Sequence, residues 1–80
     1  SNFSDNTFFV LAAIVKHENL SVSQAMKVTN LDEGGVRYAM KLGLENDILL
    51  RDNKGQYSLF VRYNFRIINY LKKKNLIIGN

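Results

Sequence analysis

Ser21-Val22-Ser23-Gln24-Ala25-Met26-Lys27-Val28-Thr29-Asn30-Leu31-Asp32-Glu33-Gly34-Gly35-Val36-Arg37-Tyr38-Ala39-Met40 reads as two helices separated by a tight turn. Ser21 stands three residues ahead of Gln24, the spacing at which a cap hydroxyl and a side-chain amide satisfy each other's orphan backbone donors. A short helix over about 22–29 follows, with Ala25, Met26 and Val28 available to bury. Thr29-Asn30-Leu31-Asp32 then supplies a turn with one apolar anchor, Leu31. Asp32 is a fresh N-cap, and Glu33 puts negative charge in the first turn, where the helix dipole favours it. In the helix that follows, 32–45, Val36, Met40 and Leu44 recur every four residues beside Ala39, while Arg37, Tyr38 and Lys41 fall off that stripe. One face is core and the other is presented.

Working outward, Asp5-Asn6-Thr7 offers capping side chains to a helix over about 6–18 whose Phe8, Leu11, Ala12 and Val15 share a face. Asn19-Leu20 closes it. On the other side, Asn46-Asp47 tolerates a left-handed helix end, and Ile48-Leu49-Leu50 is a short apolar strand signal. Asp52-Asn53-Lys54-Gly55 is a dense turn signal leading into the alternating stretch 56–61, so a β-hairpin is expected. Tyr57, Leu59 and Val61 would share one face of its second strand. Asn64 caps a last helix that carries Ile67, Ile68 and Leu71 and ends on Lys72-Lys73-Lys74, ahead of the apolar Leu76-Ile77-Ile78. The fold class is therefore mainly α with a small β-hairpin (α+β).

Eighty residues that are 46% hydrophobic and 22% charged suit one small globular domain. Residues 1–4, opening on Ser1-Asn2 with the look of a tag remnant, are expected to be a disordered start, and 5–80 a single domain. The longest apolar run, Phe8 to Val15, falls far short of the roughly 20 residues needed to span a bilayer, so no membrane contact is expected and the chain fits a cytoplasmic setting. The net charge of +4 is unevenly placed. Residues 1–50 carry Lys16, Lys27, Arg37 and Lys41 against six acids. Residues 51–80 carry Arg51, Lys54, Arg62, Arg66, Lys72, Lys73 and Lys74 against Asp52 alone. Such asymmetry suits a polyanionic partner, because each neutralised phosphate releases a counterion.

Helix, short helix, tight turn, helix, hairpin and final helix, in that order, resemble a winged helix-turn-helix domain. The resemblance is carried by Ser21 to Met26, Asn30-Leu31-Asp32 and Val36 to Met40, then by Ile48 to Arg51 and Lys54 to Tyr57. It implies a three-helix core with a two-stranded wing and a C-terminal helix, with helix 32–45 in the major groove of double-stranded DNA and the wing, 49–61, on the backbone. Carried over to this chain, Arg37, Tyr38 and Lys41 would face the groove. Arg51, Lys54 and Gln56 would be wing contacts, and Ser23, at a helix start, would add a phosphate bond. Three features depart from the family pattern: Asp47 stands where such domains usually have glycine, the stretch between Val36 and Ile48 is one residue longer than usual, and Gly34-Gly35 occupies the first turn of the recognition helix, either admitting a phosphate closely or easing the turn.

His17 is the only histidine and there is no cysteine, so no zinc site of the usual ligands and no thiol nucleophile can be assembled. No enzyme activity, no metal and no cofactor are expected. DNA binding, as a transcription regulator or a DNA-contacting module, is the leading expectation. The alternative is an accessory winged helix for protein interaction or oligomerisation within a larger chain such as a signalling ATPase, since stretches 55–59 and 63–76 also resemble winged helices that follow ATPase domains. A homodimer or an intrachain partner would then use the C-terminal helix and its apolar end.

Overall fold

A computed structural model describes residues 3–60, 69, 70 and 72–74. Its elements are α1 (Asp5–His17), α2 (Val22–Thr29), α3 (Glu33–Glu45), β1 (Leu49–Arg51) and β2 (Tyr57–Leu59), the strands forming one antiparallel hairpin. The chain is thus mainly helical with a two-stranded hairpin, as the sequence pattern indicates.

The helix starts follow from local side-chain chemistry. Ser21 Oγ accepts from the Gln24 amide at 3.1 Å while Gln24 Oε1 accepts from the Ser21 amide at 2.9 Å, so the expected reciprocal cap is formed. Asp32 Oδ1 accepts from the Gly35 amide at 2.7 Å and opens α3. α1 differs from its expected start: its cap is Ser4, whose hydroxyl accepts from the Thr7 amide at 3.3 Å, and Asp5 is already helical. Phe3 packs on Phe8 with ring centroids 5.8 Å apart and lies against the core. Thr7 is buried, and its hydroxyl lies 3.2 Å from that of Ser4, which satisfies it inside the core.

The core is wider than a single α1 stripe. Phe8, Leu11 and Ala12 are buried as expected, but Val10 and Ile14 are fully buried too, while Val15 is only partly so. α1 is the central element: it packs chiefly against α3 and also meets α2 and β2. Val36, Ala39 and Met40 of α3, Ala25 of α2, and Leu20, Ile48, Leu49 and Tyr57 complete the core. Leu31 is the partly buried anchor of the α2–α3 turn, where Asn30 adopts a left-handed conformation.

Leu44, expected in the buried stripe, is exposed, and Gly43 takes its place on the buried face. A methyl group added to Gly43 would lie 2.5 Å from Leu49 Cδ1 and 2.6 Å from its Cγ, so β1 can rest on α3 only over a bare backbone. The chain reverses between them with Asp47 in the left-handed conformation (φ 57°), the Asp47 amide bonding to Leu44 O and the Ile48 amide to Gly43 O. Asp47 thereby occupies the position that glycine fills most often at helix C-termini.

In the hairpin, Leu49 pairs with Leu59, Leu50 with Ser58 and Arg51 with Tyr57. Leu49 and Tyr57 are buried on one face and Leu50 is exposed on the other. Ile48 precedes the strand instead of starting it, though its carbonyl still accepts from the Phe60 amide. Leu20, between α1 and α2, adds an isolated antiparallel bridge on the other edge of β2: its amide donates to Tyr57 O at 3.0 Å and its carbonyl accepts from the Tyr57 amide at 2.7 Å. Near the C-terminus, Tyr70 stacks on Phe8 at 4.6 Å. The expected cap Asn64, the apolar Ile67, Ile68 and Leu71, Val61, and Leu76 to Ile78 lie outside the described residues.

Gly43→Ala is expected to lower the unfolding free energy by about 1–2 kcal/mol, since overpacking of about 1–3 kcal/mol against buried Leu49 outweighs a helix-propensity gain of up to ~1 kcal/mol. Urea denaturation of the variant beside the parent chain measures it.

Candidate nucleic-acid interface

With Val36, Ala39, Met40 and Gly43 turned inward, helical periodicity puts Gly34, Tyr38, Lys41 and Glu45 along the outward line of α3. Tyr38 is 58% exposed. Lys41, one turn on, is also exposed. Arg37 lies on the flank of this line, with Glu33 and Leu44. Its Nε donates to Glu33 Oε2 at 2.6 Å, an ion pair one turn long with both side chains about 60% exposed. Glutamate four residues before arginine is the orientation that best supports a helix. The i, i+4 spacing of Glu33 and Arg37 is the sequence signal of this pair.

At the head of α2, Ser23 is exposed, while Ser21 is taken up by its cap. The hairpin tip is organised by one carboxylate. Asp52 Oδ1 accepts from the Lys54 amide at 2.8 Å and the Gln56 amide at 2.9 Å, and the Asp52 amide donates to Gln56 O at 2.9 Å. Gly55 completes the tip with φ +80°, a conformation that other residues adopt with strain. The tip therefore leaves the Lys54 side chain exposed, whereas Gln56 is half-buried and contributes its backbone to closure. Arg51 is exposed, and its guanidinium lies 5.9 Å from the centroid of the Tyr57 ring at the base of the tip.

The structure thus brings Arg37, Tyr38 and Lys41 together on one exposed side of α3, and Arg51, Lys54 and Gln56 together on the hairpin. Among the described residues no group of three or more His, Cys, Asp or Glu is placed to hold a metal ion, and no helix is long and apolar enough to cross a membrane. Known protein families, curated proteins and solved structures offer no match to the chain.

Two outcomes follow from this geometry. The backbone amides of Gln56 and Lys54, in that order of effect, hold the Asp52 carboxyl below the ordinary aspartate value of 3.8. A carboxyl lowered by folding adds stability that is present above the unfolded value and lost as pH falls through the folded one. In an NMR pH titration the Lys54 and Gln56 amide resonances should move together with the Asp52 carboxyl, at a midpoint below that of a free aspartate. Separately, a methyl group added to Gly34 would meet only Asp32 Oδ1, at 3.8 Å. Gly34→Ala should therefore raise stability by up to ~1 kcal/mol in thermal or urea unfolding.

Proposed function

We propose that this domain is a winged helix that binds double-stranded DNA, with α3 in the major groove and the hairpin as its wing on the adjacent backbone. The observation that carries the reading is the exposed side of α3: Arg37, Tyr38 and Lys41 stand clear of the core, on the second helix of a helix–turn–helix whose caps and turn anchor are all formed. A helix fits the major groove, and arginine and lysine reach base edges and phosphates there. The hairpin supports it with Arg51 and Lys54, two cations on an element whose one acid, Asp52, accepts from its own backbone amides. Exposed Lys72 to Lys74 add to the positive surface.

A protein partner is the second reading, favoured by a specific feature of the same helix. Asp32, Glu33, Glu45 and Asp47, at the two ends of α3, outnumber Arg37 and Lys41, and Leu44 and Leu50 are exposed nearby in sequence. Acids at both ends of a helix repel phosphate, and exposed leucines suit a protein surface.

Fluorescence anisotropy with random-sequence duplex DNA separates the two. The DNA reading expects micromolar binding at low salt, on the order of 10⁻⁶ M, and three phosphate contacts would weaken it roughly 40-fold between about 50 and about 200 mM salt. Arg37→Ala/Lys41→Ala should weaken it further and flatten the salt dependence by about one to two contacts. Absence of binding at low salt, or a double variant that binds like the parent, moves the assignment to a protein partner.

A further inference from the structure

We propose that Glu33 is a positioning residue for Arg37, turning its guanidinium to read the two acceptors of a guanine edge instead of gripping a phosphate. The inference rests on the duplex-binding reading and names the chemistry that α3 recognises.

The argument starts from which nitrogen is used. A guanidinium presents five N–H donors in a rigid fork, and it can pair bidentately through its Nε side or through its two terminal nitrogens. Glu33 Oε2 accepts from Nε at 2.6 Å, so the Nε side is occupied, and among the described residues no hydrogen bond or ion pair takes up the terminal edge. Guanine shows N7 and O6 side by side in the major groove, the acceptor pair that suits two parallel arginine N–H donors.

Charge points the same way. Glu33 offsets the charge of Arg37, and a carboxylate beside the guanidinium repels a phosphate, whereas guanine N7 and O6 carry no formal charge. The fold has little need of the pair: both side chains are about 60% exposed, and such surface pairs contribute little to stability. The neighbouring Asp32 has a different task, since its Oδ1 is committed to the Gly35 amide. Glu33 is thus an acid that weakens general attraction to DNA while fixing the geometry of one arginine, which is how a contact is moved from the backbone to the bases.

Glutamine at position 33 keeps an oxygen acceptor and drops the charge, whereas alanine drops both, so the two variants separate orientation from charge. The experiment selects preferred sites from a pool of random-sequence duplexes with the parent chain, Glu33→Gln, Glu33→Ala and Arg37→Ala, after circular dichroism has shown each variant folded. The parent should enrich one guanine that Arg37→Ala no longer enriches, and replacing that base by 7-deazaguanine, which lacks N7, should weaken parent binding roughly five- to tenfold. Glu33→Gln should retain the enrichment, and Glu33→Ala should lose most of it. Both should bind random duplex more tightly than the parent, with the salt slope steeper by about one contact. In the free domain, the Arg37 Nε–H resonance should shift in Glu33→Ala. Enrichment of the same guanine by Glu33→Ala, or no Arg37-dependent guanine in the parent, overturns the role of Glu33 while duplex binding stands. Failure of the parent to bind any duplex at low salt removes the DNA reading, and this inference with it.

Discussion

The contact between Gly43 and Leu49 sets the geometry on which the remaining elements depend. Because glycine leaves the α3 backbone bare, β1 can lie directly against the end of the helix, and the reversal through Asp47 is short enough to deliver Leu49 into the core. That placement brings β2 back across the molecule to meet Leu20 and lets Tyr57 bury its ring. It also fixes the rotation of α3: with Gly43 inward, Lys41 and Glu45 face away from the core, and Leu44 is left in solvent. The exposed side of the helix is thus a consequence of how its other side is packed.

Caps and turns were the most legible parts of the sequence, because they depend on side chains a few residues from the backbone they serve. Ser21 with Gln24, Asp32 with Gly35, and the turn from Asp52 to Gly55 all close through such local bonds. Interactions between distant segments were harder to read. The Leu20–Tyr57 pairing involves one residue on each side and leaves no alternation to detect. Gly43 has no side chain whose spacing could announce Leu49 lying against it, and a spacing of four puts Leu44 in a stripe that the true 3.6-residue period leaves. Val10 and Ile14 lie off a single stripe for a related reason: a helix covered by neighbours on several sides buries more than one.

The candidate interface divides along the same line. Residues off the apolar stripe of α3 are exposed, as periodicity alone requires, so Arg37, Tyr38 and Lys41 could be named from the sequence. How each is held depends on contacts that a residue-by-residue reading passes over. Arg37 is bound sideways to Glu33, Arg51 sits over an aromatic ring, and the backbone of Gln56 serves the tip that its side chain was expected to extend. The cations are thus unequal: Lys41 and Lys54 are exposed charges, whereas Arg37 is paired with Glu33 and Arg51 lies over the Tyr57 ring.

The two backbone bonds between Leu20 and Tyr57 have a consequence for molecular recognition. They join the chain just before α2 to the hairpin that follows α3, so both helices belong to a single loop tied at its base. A surface carried on such a loop has already given up much of its conformational freedom during folding. A partner that docks on α3 therefore meets a frame ordered beforehand, and less of the binding free energy is consumed in arranging it.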